Sequence, residues 1–265
     1  MSAPILLTET TFVSAASVVF GLLWGSFLNV VIYRLPRNRS VVRGRSQCPG
    51  CGTVIRWYDN IPLLSYLVLR GRCRNCGYRI PMSYPTVELL SGVISGAVVW
   101  YYGLGLEAAW MFVFLTALLA ITFIDWSHRI IPDELSIGGT VFGWVGAVVC
   151  LDITLVESLI GSAVGFGILF LIAIVYKLVR RVDGMGGGDI KLMAMIGAFL
   201  GWKMVFVVLF VASLCGAVYG VYLMHRGGGS KTAVAFGSFL APSATIVLIA
   251  GARFLEFYLQ FLKRP

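Results

Sequence analysis

Charge is scarce in this chain. Only 12% of its 265 residues are Asp, Glu, Lys or Arg, about half the roughly 25% of ordinary soluble domains, which excludes a water-soluble globule of usual composition. Histidine is scarcer still, with His128 and His225 alone. That leaves no HExxH pair for a metalloprotease and no Ser/His/Asp set for acyl transfer. No Lys or Arg precedes Arg34, so the first apolar segment lacks the basic flank of a cleavable signal peptide and is expected to stay in the mature protein. Phosphate loops are missing too. Lys191 follows Asp189 and Ile190 with no Ser or Thr after it, and a dinucleotide fingerprint would need a third glycine and a preceding strand where this chain has an acid.

Apolar residues are what the chain has in plenty, 58% of the total, with a mean hydropathy of +0.89. Runs able to cross a hydrocarbon core, which takes about 20 apolar residues, lie near 11–33, 86–102, 108–124, 136–151, 155–176, 190–202, 204–224 and 234–260. They predict an all-α polytopic membrane protein with about eight transmembrane helices. Only Gly201 and Lys203 separate the sixth run from the seventh, so seven spans is the alternative. The expected parts are a first span at 1–33, a polar loop at 34–85 and a membrane core of about seven spans at 86–265. Loops rich in Lys and Arg stay in the cytoplasm. The 34–85 loop carries ten arginines and one acid, Asp59, a local charge equal to the +9 of the whole protein. Counting alternate loops from it puts Arg129, Lys177, Arg180, Arg181, Arg226 and Lys231 on the same side, with Lys203, Lys263 and Arg264 as exceptions. The N-terminus is therefore expected outside and the basic loops inside. Beyond Trp57 and Tyr58 the loop has no aromatic or helical reading module, so its charge points to topology and anionic lipid and not to nucleic acid.

The same loop holds "CPGC" at Cys48 and Cys51 and "CRNC" at Cys73 and Cys76. Two such pairs can place four thiolates at the corners of a tetrahedron around zinc. A cytoplasmic loop faces a reducing pool, which disfavours disulfides as the alternative use. Four sulfurs leave no open coordination position, so the site is expected to be structural, folding a zinc-ribbon-like loop that has no apolar core. Cys150 and Cys215 lie inside apolar runs and read as small hydrophobes.

Ionisable groups inside apolar runs are costly and so are candidates for function. Glu88, Asp125, Asp189, Lys191 and Arg253 are those here. Asp125 closes the third run and Asp189, after Gly186, Gly187 and Gly188, opens the sixth, so the expected topology gives both acids one depth near the inner interface. Plainer readings exist: Asp189 as a helix cap, Asp125 as a partner of His128 or Arg129, Glu88 as a partner of an arginine in its own loop. Three successive glycines exceed what a turn needs and suggest close approach of another segment. Two carboxylates within about 3 Å cannot both ionise, and a pair sharing one proton can hydrolyse an amide. Other classes remain open on these residues, a cation- or proton-coupled transporter using the two acids as ion sites, or a zinc-ribbon scaffold without chemistry.

Four stretches together carry a resemblance: "GSFLNVVIYRLPR" from Gly25, "CPGCGTVIRWYDNIPLLSYLVLRGRCRNCGYRIPMSYPTVELL" from Cys48, "IDWSHRIIPDELS" from Ile124 and "GMGGGDIKLMAMIGAFLGW" from Gly184. In this order they resemble the type IV prepilin peptidases of bacteria, inner-membrane aspartic proteases of the GxGD kind. The resemblance implies that Asp125 and Asp189 are the catalytic pair, with "GGGD" carrying the GxGD signature. It implies prepilin or pseudopilin substrates cut at the cytoplasmic face. It also implies N-methylation of the new N-terminus with S-adenosylmethionine, for which the cysteine loop and Glu88 are the expected area. One departure is visible: the family often shows "PFGPFLA" where this chain has "AFGSFLA", so Ser238 stands in place of a proline.

Overall fold

In the computed structural model the described residues are 3–182, 185–226 and 235–248, with side chains described from residue 13 onward. Among them the chain is helical, and its only β pairing consists of two isolated bridges, Gln47 to Val54 and Arg72 to Arg79. Four helical stretches, Val13–Arg37, Leu106–His128, Leu155–Arg180 and Gly187–His225, are long and apolar enough to cross a membrane, marking a multi-pass membrane protein. The chain divides into two compact units, residues 1–123 and 124–265.

In the first unit, α1 (Ala3–Arg34) packs along α3 (Ser83–Tyr102). Small residues set that spacing. A methyl group on Gly21 would lie 2.5 Å from the Ser91 carbonyl oxygen, and one on Gly25 2.6 Å from Glu88 Cα, the close backbone approach that apolar helices use when no hydrophobic force separates them from lipid. Phe112, on α4 (Leu106–His128), has its ring 5.7 Å from Phe20 and 5.8 Å from Trp24, and the Trp24 indole N–H donates to Thr116 Oγ1 at 3.3 Å.

The loop between α1 and α3 has little apolar core, and its order comes from polar contacts around the short helix α2 (Leu64–Val68). The Arg34 guanidinium donates to the carbonyls of Ser40, Arg43, Gly44 and Arg45 at 2.8 to 3.1 Å. Arg37 stacks over the Tyr33 ring at 4.2 Å, and Arg74 pairs with Asp59 at 2.7 Å. Several of the ten arginines thus hold the loop together, a use beyond the orientation and lipid roles expected of them.

The second unit takes in the end of α4 with α5 (Asp133–Val149), α6 (Leu155–Arg180), α7 (Gly187–His225) and α8 (Gly237–Leu248). Helix α6 opens with a capping box in which Thr154 and Glu157 bond each other's backbone amides. Its buried face, Ser158, Gly161, Ser162, Gly165 and Leu169, lies along α7. A methyl group on Gly161 would run into the Gly197 carbonyl oxygen, and the Ser158 hydroxyl donates to the Ala198 carbonyl at 2.6 Å. Helix α7 breaks at Gly201, whose φ of 73° and ψ of 168° suit glycine. The two arms of α7 coincide with the sixth and seventh apolar runs. Helices α3 and α5 coincide with the second and fourth runs but are not among the four stretches long and apolar enough to span. Of the eighth run only Gly237–Leu248 is described; Lys231, Arg253, Lys263 and Arg264 lie outside the described residues.

Candidate active site

Three chain segments of the second unit meet at Gly237. Asp125 sits on the last turn of α4, which ends where Arg129 takes a left-handed φ of 55° and donates its amide to the Asp125 carbonyl. The chain then runs through Ile131 to Pro132 and into α5. Asp189 lies on the first turn of α7, three residues after the N-cap Gly186. Its carboxylate takes hydrogen bonds from the backbone amides of Gly186 and Gly237, so a segment outside its own helix also claims the acid. Asp125 Oδ2 accepts from the Ser238 amide at 2.6 Å and from the Ser238 hydroxyl at 2.9 Å.

A methyl group on Gly237 would lie 2.9 Å from Asp125 Oδ2 and 3.1 Å from Asp189 Oδ1. The two carboxylate oxygens are therefore no more than about 6 Å apart, a span that one water bonded to both can bridge. Asp125 retains 4% of its exposure and Asp189 9%. Buried acids at such depth need donors aimed at them, and the N-terminus of α8 supplies them. Ile131 is the apolar pin of the arrangement: its side chain comes within 2.9 Å of a methyl on Gly188 and 2.6 Å of one on Gly237. Of the three glycines before Asp189, only Gly188 meets another segment in this way among the described residues, where nothing lies within 4 Å of a methyl on Gly187 and only Asp189 itself near one on Gly186. Lys191 faces outward and pairs with Asp133 at 2.7 Å.

In the first unit the four cysteines come together. Their sulfurs all lie within 4.8 Å of one another, and Cys48 and Cys76 stand at 3.8 Å, the edge of a tetrahedron whose centre is about 2.3 Å from each corner, the bond length of zinc to thiolate. Each pair sits on the same knuckle. The Gly52 amide donates to the Cys48 carbonyl and the Gly77 amide to the Cys73 carbonyl, and both glycines adopt the left-handed conformation, with φ 69° and 71°. The Thr53 hydroxyl and amide, helped by Asn75, hold the Cys51 thiol down to about 6, and the Cys76 and Asn75 backbone amides lower Cys73. Cys76, although the Tyr78 backbone favours its thiolate, is pushed up to about 12 by lost hydration and by the other cysteines. Four thiolates this close repel one another unless a cation lies between them, and the donor set fits a tetrahedral metal ion.

Beside the cysteines is a cavity of about 630 Å³, bordered among others by Asn29, Tyr33, Tyr66, Tyr84 and Glu88. Glu88 accepts the Leu63 amide at 2.9 Å and the Asn29 side-chain amide at 3.5 Å. Leu63 has a strained φ of 59°, so the acid holds a bend of the loop through its backbone, a contact other than the arginine pairing considered from sequence.

Residues 19–102 match the bacterial peptidase A24 N-terminal domain and residues 112–221 the type IV leader peptidase family. A prepilin leader peptidase/N-methyltransferase of Pseudomonas aeruginosa is 36% identical over 269 residues, covering 92% of this chain and 93% of that protein. The one from Pseudomonas putida is 36% identical over 280 residues, 96% of both chains. That of Myxococcus xanthus is 43% identical over 210 residues, 79% of this chain and 63% of its own. No solved structure matches.

Proposed function

This chain belongs to the type IV leader peptidase family, and from that premise we propose that it is a membrane aspartic endopeptidase and N-methyltransferase. It removes the basic leader of prepilins or pseudopilins and methylates the new N-terminus. The observation that carries the peptidase reading is the convergence on Gly237 of two buried carboxylates from distant helix ends.

The chemistry needs one proton between the two acids. Water next to the pair gives a proton to Asp125 as its oxygen bonds the scissile carbonyl carbon, and Asp189 gives its proton to the carbonyl oxygen. On collapse the C–N bond breaks, the leaving amine takes the proton from Asp125, and Asp189 takes one from a hydroxyl of the tetrahedral carbon. The pair ends as it began.

The setting is a bacterial inner membrane crossed by about eight helices, including α3, α5 and both arms of α7, with the N-terminus periplasmic and the basic loop cytoplasmic. The 34–85 loop is a zinc-binding part inserted between the first span and the 86–265 membrane core, with Cys48, Cys51, Cys73 and Cys76 as the zinc ligands. A prepilin presents a short cationic leader ahead of a hydrophobic helix, so its scissile bond lies at the inner interface, the depth of both acids in this topology. Anionic lipid meets the arginines that the loop leaves free.

S-adenosylmethionine, when bound, supplies the methyl group. Its volume class suits the cavity beside the cysteines, as small-molecule sites run about 300–1,000 Å³. The tyrosine faces suit a sulfonium cation, and the Glu88 carboxylate suits the ligand's ammonium group.

Purified protein incubated in detergent with a synthetic prepilin, with and without S-adenosylmethionine, tests both activities by mass spectrometry. The leader is expected to be lost in both cases and one methyl to be gained only with the donor. Asp125→Asn and Asp189→Asn are each expected to abolish cleavage in folded protein, and full cleavage by either variant overturns the peptidase reading.

A further inference from the structure

The two acids are held by a single element, the first turn of α8. Its opening amides have no carbonyl partner inside the helix. One of them, from Gly237, goes to Asp189; the next, from Ser238, goes to Asp125. The holding differs in kind: both Ser238 donors fall on one oxygen of Asp125, whereas Asp189 takes its bonds from two separate backbone segments, at Gly186 and Gly237. Ser238 keeps 6% of its exposure, so bulk water does not compete for these bonds. An oxygen that accepts two donors at 2.6 and 2.9 Å is committed as an acceptor.

Resting on the peptidase reading, we propose that Ser238 is a positioning residue that holds Asp125 as the proton acceptor of the pair and so leaves Asp189 to carry the shared proton. A serine that only capped α8 would change stability and leave the chemical step alone.

The test is the steady-state cleavage of a synthetic prepilin by Ser238→Ala, Ser238→Thr and Ser238→Pro, with thermal unfolding measured alongside. Losing a hydrogen bond to a charged group is expected to lower kcat about tenfold in Ser238→Ala with KM within about twofold, because the bond orients the base and not the substrate. Ser238→Thr, which keeps amide and hydroxyl, restores most of kcat. Ser238→Pro loses both donors and falls about a hundredfold. Should the proline variant fail to fold, the alanine and threonine variants still decide. Wild-type kcat in Ser238→Ala, a loss confined to KM, or no recovery in Ser238→Thr overturns the proposal. Those results leave the peptidase reading standing if Asp125→Asn is inactive, whereas an active Asp125→Asn removes that reading and this inference with it.

Discussion

At the scale of single residues, the site depends as much on absent atoms as on present ones. Gly237 has no side chain, and the space where one would begin is bounded by both carboxylates and by Ile131. Gly237→Ala is expected to wedge the acids apart and lower kcat about a hundredfold, the scale at which a shift of about 1 Å is felt, while the protein still inserts and folds. A kcat within about twofold of wild type would show that the acids do not need that spacing. The acids and the cysteines were legible in the sequence because their residue types are conspicuous: Asp125 and Asp189 in apolar runs, four cysteines in two CxxC pairs. Ser238 was visible only as a departure from a resemblance. Ile131 and Gly237 gave no signal, since an isoleucine in an apolar stretch and one more glycine say nothing of which segment they touch.

At the scale of elements, helix limits follow apolar runs closely, and the break in α7 falls on the glycine that marks it in the sequence. Close crossings are less visible, because Gly161 and Gly197 are read as partners only once α6 lies on α7. Gly161→Val should cost about 1–3 kcal/mol as an overpacked contact, seen as a lower unfolding midpoint in detergent; an unchanged midpoint would mean that the crossing is looser than described. The cysteine loop is held by a different device. Stripping its metal with a strong chelator should unfold 34–85, raising amide exchange there and leaving α6 and α7 protected, and metal analysis before stripping should find one zinc per chain. The Arg74–Asp59 pair adds a pH test. Arg74 holds the Asp59 carboxyl below its usual range, so the pair's contribution is complete at neutral pH, begins to fall as pH drops through the ordinary carboxylate value and is gone below the lowered one. Asp59→Asn should remove that acid-side loss from the loop's unfolding curve. The internal use of Arg34 and Arg74 was not legible, because a positive charge in sequence does not say whether it meets lipid, a carbonyl or an acid.

At the scale of the whole molecule, two compact units divide inside the continuous helix α4, a boundary that no change of composition marks. The expected orientation is checked by protease: the 34–85 loop should be cut in inside-out vesicles and protected in right-side-out ones, and the reverse pattern would invert the topology. In the proposed mechanism Asp125 and Asp189 act as one proton-sharing unit. Residues that act as a unit lose activity non-additively, so the most direct measurement is the cleavage rate of a synthetic prepilin by Asp125→Asn, by Asp189→Asn and by the double variant, each confirmed folded. Either single change is expected to cost as much as both together. Losses that multiply, or one single variant that keeps substantial cleavage, would contradict it.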